Sequence, residues 1–147
     1  AVKPYFERFM KELPNVKKLA SCPEDELLKL WEGLGYYNRV RNMQKAAQQI
    51  MVDYAGEFPR DYEEIRKLTG IGNYTAGAIS SFAFGIPKPA VDGNVLRVIS
   101  RVTADDSDIM RQSVRSGMED ALFALMNTVQ DEKSEDFDLS RRWILYW

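Results

Sequence analysis

The chain has 147 residues, and its 45% hydrophobic content is enough to build a real core in about one domain. A single cysteine, Cys22, permits no intrachain disulfide, and the absence of histidine leaves few soft ligands for zinc or an iron–sulfur cluster. The absence of histidine also removes the commonest general base, so acid–base chemistry must fall to carboxylates or tyrosines.

Charge is unevenly distributed along the chain. The formal net charge is −2, but residues 1–104 carry a net charge of +3 and residues 105–138 a net charge of −7. A mildly basic body can bind phosphates locally, so the overall charge does not exclude a nucleic-acid partner. The longest apolar runs are too short to span a membrane and no N-terminal signal pattern is present, which predicts a soluble, cytoplasmic protein.

Helical periodicity dominates the first half of the chain, and no strand-like alternation persists. Helices are predicted for PYFERFMKEL, which ends at Pro14, and for SCPEDELLKLWEGL, which ends at Gly33 and Gly35. The stretch RVRNMQKAAQQIMVDYAG is expected to be the longest helix, closed by Gly56. The short helix RDYEEIRKL follows it.

Three further helices are predicted in the second half. YTAGAISSFAF contains no charged residue, so it is expected to be buried nearly all round. DGNVLRVISRV and RQSVRSGMEDALFALMNTV supply the other two. The predicted fold class is a compact, all-α helical bundle.

The stretch LTGIGNYTAGA interrupts this helical pattern with Gly70 and Gly72. A hairpin between two helices leaves backbone N–H groups without intrahelical partners, and such groups bind anions. Glycine at both positions permits positive φ and lets a phosphodiester come close. A tight turn without a ligand is the alternative for Gly-x-Gly alone, but the pattern Leu-x-Gly-Ile-Gly-x-Tyr-Thr-Ala is more specific.

Three motifs follow one another along the chain: WEGLGYYNRVRN, the hairpin, and FAFGIPKPAVDGNVLRV. In this order they resemble the helix–hairpin–helix DNA glycosylases, and within them the adenine glycosylases of the MutY family. The resemblance runs from about Lys3 to Phe137 and implies a six-helix domain over residues 1–137, followed by a divergent apolar tail over residues 138–147. It also implies base-excision repair: hydrolytic removal of adenine mispaired with 8-oxoguanine or guanine in double-stranded DNA, at the nucleoid of a bacterial cell.

Asp92 is the candidate catalytic carboxylate. Loss of adenine leaves positive charge on the sugar, and a carboxylate at a helix start, kept ionised by the dipole and free amides, can balance that charge. A plain N-cap aspartate is the alternative. The resemblance implies that Tyr74 and Asn94 position Asp92 or the sugar. Relatives of the endonuclease III type carry a lysine where Tyr74 stands, and its amine forms a Schiff base with the sugar. A phenol cannot form this bond, so a monofunctional enzyme is expected. The alternative is that Tyr74 is simply a packed aromatic residue.

The remaining candidates are expected to bind DNA. Tyr36, on a glycine-flanked loop, offers a flat face that can hold a base stack open, and the resemblance places it beside 8-oxoguanine with Leu34 nearby. Core packing is the alternative for Tyr36 and the expectation for Trp31. Arg39 and Arg41 could meet phosphates, although a solvated basic face is the default. The hairpin residues expected to contact the DNA backbone are Gly70, Ile71, Gly72, Asn73 and Thr75.

The chain also departs from the family. The general-acid glutamate lies, in the family, on a helix before the segment matching AVKPYFERF, so weak activity or none is expected of these residues alone. The cysteines of the family's 4Fe-4S cluster follow the segment that ends here at Phe137, so no cofactor or metal is expected. A non-catalytic helix–hairpin–helix DNA-binding module is therefore the alternative function. The oligomeric state and the role of the tail from Trp143 to Trp147 are left unassigned.

Overall fold

A computed structural model describes residues 3–130, and within that range the chain is all helical, without a strand. The all-α prediction is therefore confirmed, but the count of six is too low. The described helices are α1 Lys3–Glu12, α2 Val16–Ser21, α3 Glu24–Trp31, α4 Tyr37–Asp53, α5 Tyr62–Arg66, α6 Asn73–Phe84, α7 Gly93–Thr103 and α8 Gln112–Gln130.

The helix that the sequence pattern missed is α2. It has six residues, too few for a hydrophobic period to show, but Asn15 begins it with a side-chain oxygen that accepts a hydrogen bond from the amide of Lys18 at 2.9 Å. The prediction of the longest helix was also wrong. Helix α8 has 19 residues, two more than α4, and includes Gly117 in its interior.

The first compact unit ends at Ile71, and helices α1 to α5 belong to it. Its core gathers apolar side chains from α1, the α1–α2 connection, α2, α3 and α4, namely Phe9, Leu13, Leu19, Leu27, Trp31, Val40, Met43 and Ala47. Gln44 on α4 donates hydrogen bonds to the carbonyls of Leu19 and Cys22, at 3.2 and 2.6 Å. Helix α4 is therefore the central element of this unit, fixed to the end of α2 by polar as well as apolar contacts.

The second compact unit begins at Gly72 and contains α6, α7 and α8. Val91, Leu96 and Met118 form a small core where α7 packs against α8. The expectation that α6 is buried nearly all round was wrong. One face of α6 is buried, with Ala76, Gly77, Ile79 and Ser80, but Phe82 is 54% exposed.

None of the helices between residues 3 and 130 is both long and apolar enough to cross a bilayer. The predicted boundary near residue 137 and the tail over 138–147 lie outside the described residues. The division of the chain at that boundary stays a prediction.

Candidate active site and DNA-binding surfaces

Asp92 is the N-cap of α7, and its carboxylate accepts three hydrogen bonds. Oδ1 accepts from the backbone amides of Asn94 at 3.0 Å and Val95 at 2.9 Å, and Oδ2 accepts from Nδ2 of Asn94 at 3.0 Å. A carboxylate oxygen has two lone pairs, so Oδ2 retains capacity for a further interaction. The prediction that Asp92 opens a helix is confirmed, and Asn94 contacts it directly.

The orientation of Asn94 is fixed in turn by Arg97, one helical turn further along α7. The guanidinium of Arg97 donates to Oδ1 of Asn94. Because the amide oxygen of Asn94 accepts from Arg97, the NH₂ group of Asn94 faces Asp92. Arg97 was not among the predicted site residues, although its position three residues after Asn94 places both on one face of the helix.

These contacts lower the pKa of Asp92. The amide of Val95 is the largest cause, Asn94 adds its side-chain and backbone hydrogen bonds, and the charge of Arg97 contributes, while partial burial acts in the opposite direction. Folding therefore favours the ionised form. The stability that this group contributes is present above its unfolded pKa and is lost as the pH falls through the lower folded pKa. At neutral pH the site holds a carboxylate.

The segment leading to Asp92 is packed tightly against α6. A Cβ atom at Gly77 would lie 2.3 Å from the carbonyl oxygen of Pro89, so only glycine permits this approach. Two residues, Ala90 and Val91, separate Pro89 from Asp92, and Val91 is buried. The position of the carboxylate therefore depends on the close packing of backbone at Gly77, a contact that the sequence pattern did not reveal.

The first half of the hairpin is fixed to α4. Gly70 has a φ of +79°, as predicted, and an added Cβ there would lie 2.6 Å from Cβ of Asn42. Seven residues further along α4, the side chain of Gln49 accepts a hydrogen bond from the amide of Thr69 at 3.2 Å. Ile71 is buried, and its amide donates to the carbonyl of Leu68 at 3.1 Å, so neither its side chain nor its N–H is free for DNA.

The second half of the hairpin begins α6 with open amides. Gly72 is the N-cap, but its φ of −93° is ordinary, so the prediction of positive φ there was wrong. No side chain caps this helix, and its first backbone bond is from Ala76 to the carbonyl of Gly72. Among the described residues, the amides of Asn73, Tyr74 and Thr75 therefore have no acceptor. No atom lies within 4 Å of a Cβ built on Gly72, so space for an anion is available beside them.

Tyr74 lies in the first turn of α6 and is 51% exposed, which disfavours the alternative that it is a packed aromatic. Among the described residues it makes no hydrogen bond to Asp92, whose donors are Asn94 and Val95. Its predicted role beside the sugar stays a prediction. What the structure establishes is a phenol, rather than an amine, on the accessible surface at this position.

Tyr36 projects from the loop before α4 and is 88% exposed. It is the N-cap of α4 and adopts the left-handed conformation, with φ 49° and ψ 50°, which is uncommon for a residue other than glycine. The alternative that Tyr36 is a core aromatic is therefore wrong. Leu34 is partly buried and packs against the core of the first unit.

The two candidate arginines on α4 differ in their surroundings. Nε of Arg41 lies 2.7 Å from a carboxylate oxygen of Glu24, in a half-exposed ion pair. The side chain of Arg39 is exposed and has no ion-pair partner among the described residues. Arg39 is therefore the better placed of the two to meet a phosphate, because Arg41 would first have to release Glu24.

No group of three or more histidine, cysteine, aspartate or glutamate side chains within residues 3–130 is arranged to hold a metal ion. Cys22, the one cysteine of the chain, directs its thiol to the carbonyl of Pro23 at 3.5 Å. These residues do not fit the four-thiolate site of an iron–sulfur cluster. The expectation that this chain binds no cofactor stays a prediction.

A glycine hairpin between helices and a helix-capping aspartate one helix later define the class of helix–hairpin–helix DNA-repair proteins. The chain belongs to that class: residues 1–122 match the family described as HhH-GPD superfamily base excision DNA repair protein. The three sequence motifs, which run from Trp31 to Val98, all fall within the matched range.

Several similar proteins are adenine DNA glycosylases. One from Buchnera aphidicola (subspecies Baizongia pistaciae) is 48% identical over 98 residues, covering 67% of this chain and 28% of the relative. One from Mus musculus is 45% identical over 105 residues, covering 71% of this chain and 20% of the relative. The chain therefore spans between a fifth and a third of the length of these curated relatives.

Solved structures agree with this fold. An endonuclease III trapped as a covalent intermediate with DNA has a TM-score of 0.65 at 28% identity, covering 99% of this chain and 64% of that chain. A thermostable thymine-DNA glycosylase has a TM-score of 0.73 at 20% identity, covering 97% of this chain and 72% of that chain, and at this identity it supports the fold alone.

Proposed function

We propose that this chain carries the sugar-facing half of an adenine DNA glycosylase active site, which removes adenine mispaired with 8-oxoguanine or guanine. The observation that carries the proposal is the geometry of Asp92: a carboxylate with a lowered pKa, fixed by three hydrogen bonds at the start of α7. The adenine DNA glycosylases to which the chain is similar supply the substrate class.

The proposed chemistry is hydrolysis of the N-glycosidic bond. As the bond to adenine breaks, positive charge develops on the deoxyribose, and the fixed negative charge of Asp92 stabilises it without reorganising. Asn94 keeps the carboxylate in one orientation. Water then adds to the sugar and the base leaves with a proton, so the reaction needs neither a cofactor nor a redox step.

The proposed partner is double-stranded DNA containing an adenine mispair, in the cytoplasm of a bacterial cell. The open amides at the start of α6 suit a backbone phosphate. Tyr36 supplies an exposed aromatic face that can enter the base stack once adenine is flipped out. Arg39 adds a cation on the first unit.

The direct test is single-turnover excision, with the protein in excess over a duplex that contains adenine opposite 8-oxoguanine. Release of adenine above the rate without protein supports the proposal. The second candidate function is a non-catalytic DNA-binding module, which is favoured by one observation: the contacts of Asp92 are also those of an ordinary helix cap. That function predicts duplex binding without any release of adenine.

Borohydride treatment of the protein with abasic DNA is expected to give no covalent adduct. A Schiff base requires an amine, and the accessible residue at the hairpin position of the lyase lysine is Tyr74. The measurement is a denaturing gel of the borohydride-treated mixture. Tyr74→Lys is the positive control, since it supplies the amine at the same place, and a strong adduct with the unaltered chain would identify a bifunctional enzyme instead.

Gly72→Val is expected to weaken duplex binding about tenfold or more, because one charge-assisted contact to a phosphate is lost. The protein is expected to remain folded. A Cβ atom added at Gly72 meets no protein atom within 4 Å, so the new side chain starts in the space beside the open amides. Gel-shift titrations at several salt concentrations give the affinity. Gly117→Val is the matched control, because that helical glycine also has no neighbour within 4 Å; equal binding by both variants would refute the hairpin assignment.

A further inference from the structure

We propose that Trp31 is the positioning residue for Tyr36, through a hydrogen bond from its indole to the loop that carries the tyrosine. The inference rests on the proposed function, in which Tyr36 enters the base stack. It assigns a role to a residue that the sequence marks only as part of the core.

The central contact joins the end of α3 to the residue before Tyr36. Nε1 of Trp31 donates to the carbonyl oxygen of Gly35 at 2.8 Å. That carbonyl belongs to the peptide bond shared by Gly35 and Tyr36, so the bond fixes the peptide plane from which Tyr36 begins. Trp31 is only 9% exposed, and a buried indole N–H needs a partner.

The indole is itself held firmly. Its ring packs edge-on against Phe9 of α1, with centroids 5.9 Å apart and an interplanar angle of 78°. The donor therefore cannot follow the loop if the loop moves. A rigid donor that bonds a loop carbonyl restricts the loop more than a flexible side chain would.

The loop has two further fixed points near the same place. Gly33, with a φ of +93°, lies so close to Tyr5 that an added Cβ would stand 2.7 Å from the hydroxyl of that tyrosine. The carbonyl of Leu30, at the end of α3, accepts a hydrogen bond from Arg8 at 2.8 Å. Tyr5 and Arg8 of α1 therefore restrain the segment from Leu30 to Gly33. The hydrogen bond from Trp31 to Gly35 is the last restraint before Tyr36.

The conformation of Tyr36 shows why such a restraint is needed. A tyrosine in the left-handed region is strained, and a strained backbone persists only where its surroundings impose it. The carbonyl of Tyr36 accepts a hydrogen bond from the amide of Arg39 at 2.8 Å, so the side of the residue toward α4 is fixed separately. The Gly35 bond is the restraint on the side toward the loop, and without it we expect Tyr36 to relax to negative φ and its ring to leave the end of α4 in another direction. We therefore expect the hydrogen bond to determine where the ring points.

The test compares Trp31→Phe with the unaltered chain, first without DNA. Phenylalanine retains an aromatic ring against Phe9 but lacks the N–H donor. The backbone chemical shifts of Tyr36, measured by NMR, are expected to leave the left-handed range in this variant. Phe9→Leu is the matched control, since it removes the ring packing and keeps the donor, and it should leave those shifts in place. Unchanged Tyr36 shifts in Trp31→Phe would overturn the inference.

A measurement on the unaltered chain tests the same hydrogen bond even if the Trp31→Phe variant does not fold. The indole N–H of Trp31 is expected to exchange with solvent at least tenfold more slowly than a free indole. Exchange at the free rate would show that the bond to Gly35 is absent in solution, and the inference would fall.

A fluorescence experiment with DNA distinguishes failure of this inference from failure of the proposed function. With 2-aminopurine beside the mispair, binding of the unaltered chain should change the fluorescence as the stack opens, and Trp31→Phe should reduce that change at least threefold. If Tyr36→Ala gives the full change, the wedge role in the proposed function is wrong, whereas the NMR result still decides whether Trp31 positions Tyr36.

Discussion

Replacing Asp92 with asparagine is expected to lower the single-turnover rate of adenine excision by about 10²–10³-fold, the loss typical of removing one preorganised electrostatic group. An amide has nearly the same shape but no net charge, so it cannot balance the positive charge on the sugar. Asparagine is as good an N-cap as aspartate, and its Oδ1 can accept from the amides of Asn94 and Val95. The fold and DNA binding should therefore survive.

Asp105→Asn is the matched control for this experiment. Its carboxylate also accepts a backbone hydrogen bond, from Ser107 at 2.9 Å, and its pKa is also lowered, by Ser107. The control therefore removes a charge of the same kind from another hydrogen-bonded carboxylate in the second unit, one that caps no helix. Equal excision rates for Asp92→Asn and the unaltered chain would reduce Asp92 to a helix cap and favour the non-catalytic module.

The features that the sequence predicted well depend on neighbours in the chain. The cap of α7 forms between Asp92 and residues two and three positions later, so the pattern Asp-Gly-Asn-Val contains nearly all the information needed. The positive φ of Gly70 is likewise a local property of the hairpin. Helix positions followed for the same reason, because hydrophobic periodicity is a property of one segment.

The features that the sequence did not predict depend on contacts between distant segments. Gly77 and Pro89 are twelve residues apart, and nothing in either segment indicates that one backbone touches the other. Gln49 and Thr69 are twenty residues apart. Tyr36 was predicted to be available for a base stack, but its left-handed conformation requires knowledge of the loop geometry. These contacts, rather than the motifs, position the candidate residues.

The Gly77 contact gives the second large expected effect. Gly77→Ala should destabilise the protein by about 1–3 kcal/mol, as overpacking of a tight contact typically does, even though alanine is the better helix former. The new methyl carbon would lie 2.3 Å from the carbonyl oxygen of Pro89 and 2.9 Å from its carbonyl carbon. Both are backbone atoms, so no side-chain rotation relieves the conflict.

The strain of Gly77→Ala should also reach the candidate active site. Pro87 and Pro89 each have a fixed φ, so the segment cannot absorb the displacement by a local backbone rotation. Movement is then passed along the chain through buried Val91 to Asp92, and the excision rate is expected to fall together with stability. Urea unfolding followed by circular dichroism measures the first effect, and single-turnover excision measures the second.

Gly117→Ala is the control for the direction of the stability change. Gly117 lies inside α8 with no atom within 4 Å of an added Cβ, so alanine there should stabilise the protein by about 0.5–1 kcal/mol through helix propensity alone. The same substitution in two helices of one unit is thus expected to change the free energy of unfolding in opposite directions. If Gly77→Ala also stabilises the protein and leaves excision unchanged, the close approach of α6 to Pro89 does not exist in solution, and the position of Asp92 must be fixed by its hydrogen bonds within α7.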